Sequence, residues 1–253
     1  MPATSIEKFS LSTFTASSSE GYQLSHDIYQ LGSGAPVVII QELPGIGQET
    51  LALAQRFVDQ GFSVYLPHLF GPIGKISLAG NVARVFCMRK EFHLFEANKT
   101  SPIVDWLKAL CRKIKTDSGT KGVGVIGMCL TGNFAISLMA DDSVLAAVAS
   151  QPSMPIAKQA ALHMSNDDIS QIKQGIDASE AMYAYRFDQD PICKAAKFEA
   201  LDTEFNQDKS RIHLKTLPGK GHSVLTLDFV DEASHPTRQA LDEILAYFSR
   251  QLN

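Results

Sequence analysis

The sequence predicts an α/β protein with a mostly parallel central sheet and helices on both faces. Short apolar runs of strand length alternate with segments of helical spacing along most of the chain. Most of these runs are continuous, which is typical of strands that are covered on both faces. The 253 residues are 45% hydrophobic and 20% charged, as in a folded protein with a sizeable core. We therefore expect residues 1–253 to form a single domain.

The first elements predicted are an antiparallel hairpin and two parallel strands. Residues 5–30 hold β-forming residues on both sides of the turn-rich stretch 16–21, which indicates a hairpin. Pro36–Ile40 and Phe62–Leu66 are continuous apolar runs, and residues 50–60 between them have helical spacing. A strand, a helix and a strand in this order predict parallel strands joined by a right-handed crossover.

The second half of the chain repeats this alternation. Strands are predicted at residues 123–126, 145–149, 181–187 and 212–217. Helices are predicted at residues 103–114, 133–140, 169–173, 195–205 and 237–252. Ligand sites of parallel sheets lie outside the carboxyl ends of the strands. We therefore expect the loops 41–47, 67–74 and 128–132 to lie along one edge of the sheet, while residues 68–99 and 157–175 have no clear interpretation.

Charge and cysteine usage exclude several classes of protein. The net charge is -4, and no basic cluster is longer than Arg89-Lys90, so nucleic acid and anionic membranes are not expected partners. No apolar stretch has the length of a signal peptide core or a membrane span. The four cysteines are widely spread, without the paired spacing of a zinc site or a disulfide framework, which predicts reduced thiols. No cofactor is expected. We expect a soluble cytoplasmic protein, either a monomer or a small homo-oligomer.

Residues 122–132, Gly-Val-Gly-Val-Ile-Gly-Met-Cys-Leu-Thr-Gly, have the outline of a nucleophile elbow. An apolar strand is interrupted by Gly127, Cys129 follows two residues later, and Gly132 opens a helical segment. An elbow needs small residues because the strand turns sharply into a helix and presents the nucleophile above the sheet edge. Thr131 occupies the second small position, so the match is imperfect.

Other interpretations of the glycine-rich segments remain to be weighed. Cys129 could be a core residue, since free cysteines are often fully buried. Gly122, Gly124 and Gly127 also spell a dinucleotide-binding pattern, but the residues before Gly122 have a loop composition where that pattern needs a strand. Residues 71–75 resemble a phosphate-binding loop only in part, because neither Ser nor Thr follows Lys75.

An acid and a histidine follow Cys129 in the chain, each just after a predicted strand. Asp188 and Asp190 follow one strand and His222 follows the last one. Nucleophile, acid and histidine in this order are typical of α/β-hydrolases. A thiol has a reference pKa of about 8.5, so it needs a base or a positive field to be nucleophilic at neutral pH. His222 can take the proton, and Asp190 or Asp188 can orient the imidazole.

Over roughly residues 35–250, the sequence resembles the dienelactone hydrolase family of cysteine α/β-hydrolases. The resemblance is carried by Gln41-Glu42, Gly127-Met-Cys129-Leu, the Asp190 loop and Gly221-His222-Ser223. It implies an α/β-hydrolase fold with Cys129 as nucleophile, His222 as base and Asp190 as acid, with Asp188 as the alternative. It also implies that Glu42 lies beside the resting cysteine and holds the thiol unreactive until substrate arrives. A helix cap is the other interpretation of Glu42.

The sequence also departs from the family. Members that cleave dienelactone hold the substrate carboxylate with arginines, one of them shortly after the histidine, but Ser-Val-Leu-Thr-Leu follows His222 here. Arg84 and Arg89 are the candidates for the other arginine. Thr131 stands where a glycine is usual. The substrate is therefore left at the level of an ester or lactone, and dienelactone itself is not assigned.

These observations predict a hydrolase of carboxylic esters or lactones that works through a thioester. Cys129 would attack the carbonyl, and the backbone N–H groups of Leu130 and Leu43 would hold the oxyanion. The expected partner is a small-molecule ester or lactone. The alternatives are a non-catalytic protein of the same fold that binds a small molecule or a partner, and a thiol redox sensor, although no resolving cysteine is near Cys129 in sequence.

Overall fold

The computed structural model describes residues 4–43, 45–71, 73–74, 101–153, 161–162 and 164–253. The strands are β1 (Ser10–Ser17), β2 (Gln23–Leu31), β3 (Ala35–Ile40), β4 (Phe62–His68), β5 (Val123–Met128), β6 (Val144–Ser150), β7 (Met182–Phe187) and β8 (Ile212–Leu217). The described helices are α1 (Gln48–Asp59), α2 (Pro102–Ser118), α3 (Gly132–Leu138), α4 (Asn166–Asp177), α5 (Ala195–Phe205) and α6 (Pro236–Leu252).

The strands form one eight-stranded sheet in the order β1-β2-β4-β3-β5-β6-β7-β8. The strands β3 to β8 pair in parallel wherever they are neighbours. The β1–β2 hairpin is antiparallel and adds to β4 in antiparallel fashion. This is the predicted α/β-hydrolase architecture, with the N-terminal hairpin at one edge of a mostly parallel sheet.

Helices cover both faces of the sheet, as predicted. Alternate residues of β3 point to opposite faces, because strand side chains alternate. Val38 and Ile40 pack in a core with the apolar residues of α2 to α5, whereas Val37 and Ile39 pack in a second core with those of α1 and α6. Both faces of β3 are fully buried, which explains the continuous apolar run in its sequence.

Each strand and helix predicted within the described residues is present, with small differences at the ends. The predicted helix 103–114 extends to Ser118, where Gly119 ends it in a left-handed conformation (φ 64°). Its last turn is polar and mostly exposed, so it carries no apolar signal. The predicted helix 169–173 runs from Asn166 to Asp177, with Ser165 and Asp168 forming a capping box.

The parallel topology places the candidate site residues at one edge of the sheet. Glu42 follows β3, Cys129 follows β5, Asp190 follows β7 and His222 follows β8. None of the described helices has both the length and the apolar character needed to cross a membrane.

Candidate active site

The segment after β5 has the geometry of a nucleophile elbow. Cys129 directly follows the strand and has a positive φ of 57°, a region that non-glycine residues rarely adopt. It opens a short 3₁₀ turn, Cys129–Thr131, which continues into α3. Such a conformation costs on the order of 1–3 kcal/mol, so surrounding contacts must maintain it. The strain is therefore located at the residue predicted to be the nucleophile.

Two glycines allow the chain to turn this tightly. A Cβ on Gly127 would lie 2.1 Å from the carbonyl oxygen of Thr131, and a Cβ on Gly132 would lie 2.9 Å from Cα of Pro152. Neither site can accept a side chain without backbone movement. The glycine that the elbow pattern expects at 131 is therefore displaced by one residue and not lost.

Thr131 contributes to the turn through its side chain. Its hydroxyl accepts a hydrogen bond from the backbone N–H of Met128 at 2.9 Å. The same hydroxyl can donate its proton either to the carbonyl oxygen of Met128 at 2.9 Å or to that of Ile40 at 3.2 Å. Thr131 thus closes the turn and links it to the end of β3.

Asp190, and not Asp188, is the carboxylate that contacts His222. The two oxygens of Asp190 lie 3.0 and 2.9 Å from Nδ1 of His222. The backbone N–H groups of Ile192 and Cys193 each donate to Oδ1 of Asp190 at 2.8 Å, which fixes the orientation of the carboxylate. Asp188 instead accepts a hydrogen bond from the backbone N–H of Gly219 at 2.9 Å.

The environment of His222 favours its protonated form. Burial lowers the pKa of His222, but the hydrogen bond with Asp190 and the nearby Cys129 sulfur outweigh burial and raise it to about 10. Nε2 of His222 is buried, and among the described residues it has no hydrogen-bond partner of acceptable geometry. The sulfur of Cys129 still raises the pKa of this ring through a side-chain hydrogen bond as well as through its charge, although the contact falls outside strict hydrogen-bond geometry.

The loop that carries His222 is fixed by a second carboxylate. Oδ2 of Asp228 accepts hydrogen bonds from the backbone N–H groups of His222 at 2.7 Å and Ser223 at 2.9 Å. Gly221 lies against this carboxylate, since a Cβ there would come within 2.6 Å of Cγ of Asp228. Asp228 thus sets the backbone from which the imidazole projects.

Glu42 is buried in the site and holds the same loop. Its Oε2 accepts a hydrogen bond from the Ser223 hydroxyl at 2.9 Å, and its Oε1 accepts one from the Thr226 hydroxyl. No hydrogen bond between Glu42 and Cys129 is present among the described residues. Glu42 does not cap α1 either, because that helix begins after Gly47 without a side-chain cap.

Burial raises the pKa of Glu42, although the two hydroxyl donors oppose this. The folded protein therefore binds the Glu42 proton more tightly than the unfolded chain does. As the pH rises above 4.5, the ordinary pKa of a glutamate side chain, the wild type therefore loses stability relative to a variant that cannot titrate at this position. We expect Glu42→Gln, which keeps the shape, one acceptor oxygen and an amide N–H that can donate to the other hydroxyl, to gain stability over the wild type as the pH rises from 4.5 towards neutrality.

Urea unfolding across this pH range measures the difference. Glu42→Ala is the contrasting variant, because it leaves the Ser223 and Thr226 hydroxyls without their acceptor, at about 1–3 kcal/mol for each. If the stability difference between Glu42→Gln and the wild type is the same at pH 4.5 and at neutral pH, the pKa of Glu42 is not raised in the folded protein.

The predicted oxyanion donors follow two neighbouring strands, Leu130 after β5 and Leu43 after β3. Leu130 is 1% exposed and lies in the first turn after β5, where N–H groups lack acceptors within the helix. Leu43 is 3% exposed, and no acceptor for its backbone N–H is found among the described residues.

Arg84 and Arg89, the predicted substrate-binding residues, lie outside the described residues. Within the described ranges, no cluster of His, Cys, Asp and Glu could hold a metal ion.

Sequence reasoning missed three residues that shape the site. Ser153 contacts the Cys129 sulfur, with its Oγ at 3.4 Å from Sγ. Thr226 binds Glu42, and Asp228 holds the His222 backbone. Ser153 follows a predicted strand, which places it at the correct edge of the sheet, but no spacing rule connects it with Cys129.

The geometry and the sequence together define the class of protein. The dienelactone hydrolase family profile matches residues 29–252. The match covers most of the chain, so the protein belongs to the dienelactone hydrolase family. The predicted resemblance is confirmed. No curated protein matches the chain at a significant level.

Solved structures share the fold at low sequence identity. A Klebsiella pneumoniae protein named as a candidate dienelactone hydrolase has a TM-score of 0.66 and 14% identity, over 95% of this chain and 99% of that one. An esterase from Pyrococcus furiosus has a TM-score of 0.61 and 13% identity, over 97% and 94%. A cold-adapted esterase from an Arctic intertidal metagenomic library has a TM-score of 0.62 and 14% identity, over 97% and 95%. At these identities the comparison establishes the fold alone.

Proposed function

We propose that this protein hydrolyses carboxylic esters or lactones through a thioester on Cys129. One observation carries the proposal. A cysteine with a positive φ at an elbow is the neighbour of a histidine whose other ring nitrogen is held by a buried carboxylate. A core cysteine needs neither the backbone conformation nor the two partners. Membership of the dienelactone hydrolase family supports the same reaction class.

The proposed reaction begins with a thiolate and an imidazolium. The thiolate of Cys129 attacks the carbonyl carbon, and the backbone N–H groups of Leu130 and Leu43 stabilise the oxyanion. When the intermediate collapses, the C–O bond breaks and His222 protonates the leaving alkoxide. A thioester then remains on Cys129.

Hydrolysis of the thioester completes the cycle. Neutral His222 takes a proton from water, and the resulting hydroxide equivalent attacks the thioester carbonyl. The C–S bond breaks, the carboxylic acid leaves, and the thiolate and imidazolium are restored. Asp190 keeps Nδ1 protonated and supports the positive charge in both halves of the reaction.

The proposed substrates are small-molecule esters or lactones. The conformation of residues 75–100 lies outside the structural description, so the acyl and alcohol groups are not specified. Arg84 and Arg89 are the proposed contacts for a substrate carboxylate, because members of the family that cleave dienelactone hold that group with arginines.

A panel of esters and lactones, each tested with and without a carboxylate, is expected to yield at least one hydrolysed substrate. Rapid acid quenching of the reaction should trap an acyl group on the peptide that contains Cys129, and mass spectrometry should locate it. A hydrolysed substrate whose acyl group is found on another residue would contradict the thioester mechanism. Tight binding of panel members without turnover would instead favour the non-catalytic alternative.

A further inference from the structure

The sulfur of Cys129 has a hydrogen-bond donor that the predicted mechanism does not include. The Ser153 hydroxyl lies 3.4 Å from Sγ in a donor geometry. Ser153 is 1% exposed and Cys129 is 5% exposed, so solvent competes little for this contact. The imidazole of His222 is a second polar neighbour of the sulfur.

Backbone contacts hold this hydroxyl in position. The backbone N–H of Ser153 donates to the carbonyl oxygen of Cys129 at 3.1 Å. The Nδ2 group of Asn133 donates to the carbonyl oxygens of Ser153 at 3.1 Å and Leu130 at 3.2 Å. The loop after β6 is thus hydrogen-bonded to Cys129 directly and to Leu130 through the side chain of Asn133. These bonds fix the backbone of Ser153 beside the elbow.

The other polar groups of the candidate site are engaged elsewhere. Both carboxylate oxygens of Glu42 accept hydrogen bonds from the His222 loop. Asp190 is bound to His222 and to two backbone N–H groups. The thiol of Cys193, which interacts electrostatically with Cys129, lies 3.1 Å from the carbonyl oxygen of Pro152. His222 and Cys193 are the described titratable groups whose pKa is influenced by Cys129.

We propose that Ser153 is a further catalytic residue, whose hydroxyl donates to the Cys129 sulfur and favours the thiolate form when the sulfur reacts. A hydrogen bond to an anion is stronger than one to a neutral acceptor, so a hydroxyl donor favours the thiolate over the thiol. Control of the resting sulfur, which the family resemblance implies for Glu42, falls to Ser153 here. Glu42 acts as the anchor of the His222 loop. The catalytic part of this proposal rests on the proposed ester hydrolysis.

The strength of this hydrogen bond is expected to change between the steps of the proposed reaction. Acylation converts the anionic sulfur into a neutral thioester, which is a weak acceptor, so the Ser153 hydrogen bond is strong only before attack and after deacylation. Loss of the hydroxyl should therefore lower the fraction of reactive thiolate. It should have little effect on substrate affinity.

The test measures how Cys129 reacts with iodoacetamide as a function of pH. Mass spectrometry follows alkylation at Cys129, and the pH at the midpoint of the rate profile gives the thiol ionisation. We expect Ser153→Ala to raise this midpoint by about one to two pH units, the shift that corresponds to losing a hydrogen bond to a charged group. Ser143→Ala is the matched control, because Ser143 is equally buried but its hydroxyl donates to Asp141 at 2.6 Å.

An unchanged midpoint in Ser153→Ala would overturn the proposal. A lower midpoint would overturn it as well, because the hydroxyl would then stabilise the neutral thiol as an acceptor. Thiolate absorbance in the ultraviolet, recorded over the same pH range, gives the ionisation without any reagent. If Cys129→Ala abolishes ester hydrolysis while Ser153→Ala leaves the midpoint unchanged, the proposed function stands and the role of Ser153 fails. If Ser153→Ala raises the midpoint but the wild type hydrolyses no ester, the role of Ser153 at the sulfur is supported and the proposed function is contradicted.

Discussion

Cys129→Ala is expected to lower kcat/KM for the best ester substrate by about 10³-fold or more, since it removes the nucleophile and with it the thioester pathway. Cys129→Ser should retain little of the activity, because a serine hydroxyl ionises far less readily than a thiol beside the same histidine. Steady-state hydrolysis of an activated ester measures both effects. Full activity in Cys129→Ser would show that the thiol is not needed.

A matched cysteine variant controls for packing effects. Cys111 is also fully buried, but it lies on α2 in the core and not at the sheet edge. Cys111→Ala is expected to lower stability as a cavity-forming change does, while kcat of the folded protein stays close to that of the wild type. Comparable rate losses in Cys111→Ala and Cys129→Ala would mean that the elbow cysteine acts through packing.

His222→Ala is expected to reduce kcat/KM by about 10³-fold or more, and Asp190→Asn by about 10²–10⁴-fold. The first variant removes the proton carrier. The second keeps the imidazole but loses the carboxylate that orients it and supports its charge. His213→Ala is the matched control, because His213 lies within β8, with its ring tilted against that of Tyr183 at 4.8 Å between centroids, and not in the loop after the strand. An unchanged rate in His222→Ala would exclude the proposed proton transfer.

Stability gives an independent test of the contact between Asp190 and His222. The folded pKa of His222, about 10, lies above its ordinary value of 6.5, so protonation of His222 stabilises the fold. This contribution is complete below pH 6.5 and is lost as the pH rises through the folded value. The stability deficit of Asp190→Asn in urea unfolding should therefore be larger near neutral pH than in strongly alkaline solution. A deficit that is independent of pH would assign Asp190 to backbone contacts alone.

Local sequence signals predicted the elements of the fold because each signal depends on near neighbours. The continuous apolar run of β3 follows from burial on both faces, and the Ser165 capping box follows from residues three positions apart. The ends of helices were less predictable. The last turn of α2 is polar, so the sequence contains no pattern that distinguishes it from a loop.

The candidate site was predictable as far as chain order constrains it. Cys129, Asp190 and His222 each follow a parallel strand, and the topology brings such positions to one edge. The choice between Asp190 and Asp188 depends on loop geometry, which sequence spacing does not determine. The contacts of Ser153 and Glu42 depend on side chains that meet across 24 and 181 residues of chain. Contacts of this kind have no local signature.

The hydrogen bonds of Glu42 attach the loop that carries His222 to a central strand of the sheet. β8 is the outermost strand of its side of the sheet, whereas β3 is central. Edge elements open locally at a lower free-energy cost than central ones. By reaching back over the ends of β7, β6 and β5 to Glu42, the loop after β8 ties His222 to the strand whose end also carries Leu43. The proposed proton carrier and the proposed oxyanion donor are therefore both attached to an interior strand, and local opening of the sheet edge leaves that attachment in place.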